Sequence, residues 1–133
     1  NRGQLPRRRA DKTFSKSFGG HGLMQKFISK LGTAKGNERS RIWIEGDRLT
    51  NANFHVGEYF VDEPGGKTLH LYRLTADDVI APGVTPRKIS GKGKKPIIDL
   101  TGKWIFEMFG KKHTHVEVIY QPNHIMIKGL KND

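Results

Sequence analysis

Residues 94–129 read KKPIIDLTGKWIFEMFGKKHTHVEVIYQPNHIMIKG. The run 96–100 is apolar and β-prone, and the segment 103–109 has the composition of a short helix. Residues 113–120 alternate apolar with polar side chains, and a Gln-Pro-Asn turn leads into a last short strand over 124–128. The segment therefore predicts the order strand, short helix, strand, turn and strand.

An earlier segment, residues 41–73, repeats this order and reads RIWIEGDRLTNANFHVGEYFVDEPGGKTLHLYR. Aligning Gly46 with Gly102 gives an offset of 56 residues and superimposes the apolar positions of the first strands. Neither copy alone is long enough to bury an adequate core, so the two copies are expected to pack together. In the hairpins the alignment places Tyr59 with Val116, Val61 with Val118, Leu69 with Ile125 and Leu71 with Ile127.

The 133-residue chain contains no cysteine, and 35% of its residues are hydrophobic. The absence of cysteine excludes a disulfide scaffold and a cysteine-ligated zinc site, and it suits a reducing cytoplasm. No apolar run approaches the roughly 20 residues that cross a bilayer, and the first residues lack the apolar core of a signal peptide. We therefore expect a cytoplasmic protein, nucleoid-associated if bacterial, with no membrane partner.

The net charge of +11 is unevenly distributed along the chain. Residues 1–40 carry +8 and residues 74–95 carry +3, whereas residues 41–73 carry −1 and residues 96–133 carry +1. Positive charge that only maintained solubility would be spread evenly, so its concentration outside the repeats favours an anionic polymer as the partner. The pattern predicts binding to nucleic acid.

The chain divides into four segments: a basic arm with an amphipathic helix (1–39), the first repeat (40–73), a basic linker (74–95) and the second repeat (96–133). The arm contains Arg7, Arg8 and Arg9, which are suited to following phosphates without reading sequence. Alternatively, the arm is a solvated extension that binds nothing.

Apolar residues recur at helical spacing over residues 22–34 and predict an amphipathic helix. Its apolar side either packs on the repeats as added core or forms a surface for a protein partner or for self-association. The candidate partner-binding residues are Leu23, Phe27, Ile28 and Leu31.

In the linker, cations alternate with serine and glycine, a pattern typical of a phosphate-contacting loop. The candidates are Arg87, Lys88, Lys92, Lys94 and Lys95. A plain flexible linker is the alternative interpretation. The Walker spacing GxxxxGK[ST] is absent, so nucleotide hydrolysis is not predicted.

Other side chains carry weaker signals. His113 and His115 share a strand face that His124 can approach, but no fourth ligand is suggested, and neither a metal nor another cofactor is predicted. Trp43 and Trp104 are interpreted as packing residues, with base-stacking platforms as the alternative. No nucleophile stands in a recognisable arrangement with a base, so no catalytic residue is predicted.

The segment PIIDLTGKWIFEMFG, followed by a hairpin that ends in IMIKG, resembles the AbrB/SpoVT and SymE-type module. RKISGKGKKPIIDL is also similar to a paired module found ahead of some phage-type cytosine methyltransferases. The resemblance implies a mainly β, swapped-hairpin β-barrel, here built from two internal repeats in one chain, with short helices. It also implies DNA contacts from basic residues in loops and near the helices. By position these are Arg41, Arg48, Lys103, Lys111 and Lys112.

The sequence thus predicts a small basic protein that binds nucleic acid, with a preference for DNA over RNA. It is expected to contact the phosphate backbone and not to be an enzyme. Two alternatives stay open. One is a SymE-like toxin that cleaves RNA. The other is a phage or bacterial interaction module that docks residues 22–34 on a nucleoprotein complex.

Overall fold

The computed structural model describes residues 24–33 and 39–130, and these residues are mainly β. The strands are β1 (Gln25–Lys30), β2 (Gly32–Thr33), β3 (Ser40–Glu45), β4 (Tyr59–Gly65), β5 (Thr68–Arg73), β6 (Arg87–Lys88), β7 (Ser90–Lys92), β8 (Lys95–Gly102), β9 (His115–Gln121) and β10 (His124–Gly129). Helix α1 spans Asp47–Asn51, and α2 spans Lys103–Ile105 and continues as a π-helical turn over Phe106–Gly110. The short helix predicted over 103–109 is confirmed.

The strands form two antiparallel sheets that share one core. The large sheet has the order β1-β9-β10-β5-β4-β6, and the small sheet has the order β2-β3-β8-β7. Fully burying one large aliphatic side chain contributes roughly 1.5–3 kcal/mol, so the shared core is the main source of stability. Its members include Ile42, Ile44, Ile98 and Leu100 from the small sheet, Leu69, Leu71, Val116, Val118, Ile125 and Ile127 from the large sheet, and Leu49, Phe54, Ile105 and Phe109 from the helical segments.

The registers of the two central strand pairs follow the 56-residue offset. In the small sheet, Ile42 pairs with Leu100 and Ile44 pairs with Ile98. A shift of 56 residues places Ile42 on Ile98 and Ile44 on Leu100. The shift therefore converts the Ile42–Leu100 pair into the Ile98–Ile44 pair, so both copies have the same register. The β5–β10 pairing behaves in the same way, with Leu71 opposite Ile125 and Leu69 opposite Ile127.

The predicted hairpin alignment is wrong by one residue in β4. Phe60 is buried, whereas Tyr59 is exposed. Phe60 pairs with Arg73 and Val116 pairs with Gly129, so Phe60, and not Tyr59, corresponds to Val116 at the constant offset. Three consecutive apolar residues in β4 made the inward-facing position ambiguous in the sequence.

The closed β-barrel expected from the sequence is not formed in the described residues. The chain passes from the large sheet to the small one at Leu31, between β1 and β2, and again at Ile89, between β6 and β7. Both side chains are buried in the core. The two sheets are therefore joined covalently at these corners.

The amphipathic helix predicted over 22–34 is wrong, because residues 25–30 and 32–33 form strands β1 and β2. Strand β1 pairs along β9 from Gln25 opposite Tyr120 to Lys30 opposite His115. This pairing satisfies the backbone groups of β9, and the β-branched and aromatic side chains of the segment favour a strand. Long-range pairing has thus overridden a local periodicity.

Candidate nucleic-acid interface

Three lysines cluster on the β7–β8 hairpin. Lys92 lies directly opposite Lys95, and Lys94 occupies the two-residue turn between them. All three are exposed, and within residues 24–33 and 39–130 none of them forms an ion pair. Like charges directly opposite on a hairpin are destabilising. We call this cluster the lysine hairpin; a bound anion would relieve its repulsion.

Two glycines allow the lysine hairpin to form. Gly93 in the turn has a φ of +59°, a conformation that side chains disfavour. A Cβ at Gly91 would clash with the Lys95 carbonyl oxygen and would come within 2.7 Å of Val56. The glycines between the lysines therefore allow β7 and β8 to pair closely across a two-residue turn. This part of the predicted linker is ordered as strand rather than as a plain loop.

The outward face of the small sheet carries a network of polar side chains around Trp43. Arg41 donates two hydrogen bonds to Asp99, from Nε to Oδ1 at 2.9 Å and from Nη2 to Oδ2 at 2.8 Å. Thr101 Oγ1 donates to Asp99 Oδ1 at 2.8 Å. The indole Nε1 of Trp43 donates to Glu45 Oε1 at 3.0 Å, and the Arg41 guanidinium lies 4.5 Å from the indole centroid.

The pKa of the Asp99 carboxyl is lowered, chiefly by the hydrogen bond from Arg41 and further by that from Thr101. The pKa of Arg41 is raised in turn by the same hydrogen bond. Both groups are therefore charged at neutral pH, and their opposite charges cancel. Since Arg41 is held in this pair, it is less available for phosphate than the sequence suggested.

The interpretation of Trp43 as a packing residue is wrong. Its side chain is 41% exposed on the small sheet, whereas Trp104 is partly buried against the core as expected. The missed signal is the alternation of β3, in which Ile42 and Ile44 face the core and the residue between them must face outward.

The structure does not bring the remaining predicted cations into one patch. Arg48 lies over the Phe27 ring at 3.5 Å, Arg87 is bonded to Asp62 at 3.0 Å, and Lys111 is paired with Glu107. Lys88, Lys103 and Lys112 are exposed and form no ion pair with a described residue. Lys103 follows the far end of β8 from the lysine hairpin, so it belongs to a separate group. Arg7, Arg8 and Arg9 lie outside the described residues.

The predicted partner-binding set is divided by the structure. Leu31 is buried, and Phe27 packs against the core with its ring 5.8 Å from that of Tyr120. Ile28 is exposed, and Leu23 lies outside the described residues. Because a strand directs successive side chains to opposite faces, Phe27, Ile28 and Leu31 do not form the common surface that a helix would have given them.

Three rings stack on the outward face of the large sheet. His124 lies 4.7 Å from Tyr72 and 5.2 Å from His70, centroid to centroid, with nearly parallel planes. A hydrogen bond of 2.9 Å joins His70 Nδ1 to His124 Nε2, and His124 Nδ1 lies 3.1 Å from Gln121 Oε1. Burial, with a smaller effect of His70, lowers the pKa of His124 to about 4, and burial also lowers the pKa of His70.

We expect the protein to lose stability on acidification between pH 6.5 and pH 4. An unfolded histidine takes up a proton near pH 6.5, whereas folded His124 resists protonation until about pH 4. The unfolded state therefore binds more protons in this window, and at pH 5 this one group costs about 2 kcal/mol of unfolding free energy. Urea unfolding at a series of pH values measures the loss.

In that series His124→Gln should flatten the profile between pH 6.5 and pH 4. His115→Gln, which leaves the ring stack intact, is the matched control. An unchanged profile in His124→Gln would show that another group causes the loss.

In the described part of the chain, no group of three or more His, Cys, Asp or Glu side chains is placed to hold a metal ion. His113 donates from Nδ1 to the carbonyl oxygen of Leu130, and His124 is engaged in the ring stack, so the histidines considered above as ligands do not converge.

None of the described helices is long and apolar enough to cross a membrane.

The fold and the candidate interface define a two-sheet antiparallel β protein whose small sheet carries a polar network around the exposed Trp43 and the lysine hairpin. No family model, curated protein or solved structure matches the chain.

Proposed function

We propose that this protein binds nucleic acid, DNA in preference to RNA, through phosphate contacts made by the lysine hairpin. The observation that carries the proposal is the clustering of Lys92, Lys94 and Lys95 without neutralising partners among the described residues. Folding gains nothing from placing three cations together. A polyanion that releases its counterions on binding gains affinity from each of them.

The contrast with the arginines supports the choice of site. Arg41 and Arg87 are each bonded to a carboxylate, so a phosphate would have to displace an existing partner. The lysines of the hairpin have no such competition from described residues. Lysine also approaches phosphate as a compact point charge and requires no fixed orientation. This suits contacts that do not read sequence.

We further propose that the two halves are copies of one module, an AbrB/SymE-like swapped-hairpin unit. The support is the register of β3–β8 and β5–β10, which a shift of 56 residues maps onto itself. Two related subunits paired about a two-fold axis would produce this exchange of partners. The preference for DNA over RNA rests on the resemblance to that family and not on the site geometry.

The test is fluorescence anisotropy of the chain against duplex DNA, single-stranded DNA and RNA of one sequence, each over a salt series. A second protein lacking residues 1–23 is measured in parallel. The deletion ends there because β1 and Leu31 belong to the folded body. We expect binding to DNA that survives the deletion and weakens steeply as salt rises.

Three results would contradict the proposal. Absence of binding at low salt would reject nucleic acid as the partner. Binding that is lost with residues 1–23 would place the site on the arm and not on the hairpin. Tighter binding to RNA than to either form of DNA would reverse the stated preference.

A further inference from the structure

We infer that Trp43 is a stacking platform for an unpaired base, so that the small sheet binds a single-stranded segment of DNA whose phosphates reach the lysine hairpin. This inference rests on the proposed function and names the form of nucleic acid that the site selects. Trp43 is 41% exposed at the centre of the outward face. Stacking a base on an aromatic side chain removes such apolar area from water without requiring a particular base.

The indole is held in place before any ligand arrives. Glu45 accepts the hydrogen bond from Nε1 at 3.0 Å, and Arg41 lies 4.5 Å from the ring centroid. Arg41 is itself fixed by its two bonds to Asp99. Immobilising a free side chain on binding costs conformational entropy, and this network has already ordered the indole in the unbound protein.

The charges around the platform favour a base over a phosphate at this point. The carboxylates of Glu45 and Asp99 lie beside the indole, and among the described residues Asp99 is paired with a cation whereas Glu45 is not. A phosphate directly above Trp43 would be repelled by Glu45, whereas an uncharged base would not. The phosphates are better placed over the lysine hairpin, where the described residues provide no competing carboxylate bond.

The distance between the two parts suits a short strand. Asp99 pairs with Trp43, and Lys95 lies four residues from Asp99 along β8, which corresponds to about 13 Å. At the B-form rise of about 3.4 Å per nucleotide, a fully stacked segment covers this distance with about four nucleotides, and a more extended single strand covers it with fewer. Single-stranded sites of known folds start at about the same size.

The asymmetry of the face argues against a duplex. Under the 56-residue offset, Trp43 corresponds to Asp99, so the aromatic side chain is present on one central strand only. The three lysines likewise lie on the β7–β8 hairpin at one edge of the sheet, whereas the opposite edge strand, β2, is Gly32–Thr33. The two strands of a duplex are related by local two-fold axes, and symmetric proteins match these axes with equal contacts on both sides. A single strand runs in one direction and has no such symmetry. A one-sided platform fits the single strand.

The experiment compares Trp43→Ala and Trp43→Phe with the wild type against a 12-nucleotide dT strand and a duplex of equal length. We expect Trp43→Ala to weaken single-strand binding roughly 5- to 150-fold, as loss of one stacked base predicts, and to leave duplex affinity within about twofold. Trp43→Phe should retain most of the affinity. Tyr59→Ala, an exposed aromatic of the large sheet, is the matched control and should bind as the wild type does.

A fluorescence measurement supplements the variants and guards against misfolding. In a Trp104→Phe background Trp43 is the only tryptophan, and its emission should be quenched by the dT strand. If Trp43→Ala lowers both affinities equally or neither, or if quenching is absent, the inference is overturned. The proposed function is judged separately, because removing the three hairpin lysines should weaken binding to both forms of DNA whatever Trp43 does.

Discussion

Replacing Lys92, Lys94 and Lys95 together by alanine is expected to weaken DNA binding on the order of 100-fold at about 0.1 M salt. Each lysine that neutralises one phosphate contributes about 0.9 to the slope of log Kobs against log salt for duplex DNA and about 0.7 for a single strand. The triple variant should therefore show a slope that is shallower by about 2.7 for the duplex and by about 2.1 for the single strand. Anisotropy titrations at four or more salt concentrations measure both quantities on the same samples.

The matched control removes three lysines from outside the interface. Lys26, Lys67 and Lys128 are exposed, lie on the large sheet or its turn, and are not part of the proposed site. Their triple alanine variant has the same net charge as the hairpin variant. If the two triple variants lose affinity equally, binding depends on overall charge, and the assignment to the lysine hairpin is wrong.

Phe54→Ala and Phe109→Ala are each expected to lower the free energy of unfolding by about 3–5 kcal/mol. Both rings are fully buried, one after α1 and the other at the end of the π-helical turn. Since the two halves share one core, each variant should destabilise the whole chain in a single cooperative transition. Urea unfolding followed by circular dichroism and by tryptophan fluorescence measures the effect with two independent probes.

Tyr59→Ala serves here as a surface control, because loss of an exposed ring should change stability by well under half of that amount. Two separate transitions in either phenylalanine variant would mean that the halves fold independently. Such a result would contradict the shared core and, with it, the proposal that two copies of a module depend on each other.

Period-two alternation was sufficient to predict the central strands. In β3 and β8 the residues that face the core alternate strictly with residues that face solvent, and the sequence places isoleucine and leucine at the inward positions. The same alternation would have identified Trp43 as outward-facing. It was misread because tryptophan is usually interpreted as a core residue.

Other features depend on contacts that no local pattern contains. The Arg41–Asp99 pair joins residues 58 positions apart, and it decides that Arg41 is engaged while the hairpin lysines are not. The spacing of Phe27, Ile28 and Leu31 fits a helix, but residues 25–30 form a strand because they pair with the edge of β9. The local spacing of apolar residues contains no information about a distant strand edge whose backbone groups are available for pairing.

The most direct test of the account is a map of backbone amide chemical shifts during titration with a 12-nucleotide DNA strand. If the lysine hairpin and the Trp43 network form the interface, the largest shifts will fall on residues 41–45 and 90–95. Shifts confined to the outward face of the large sheet, around His70 and His124, would contradict the account. So would a titration that leaves the amides of the small sheet unchanged.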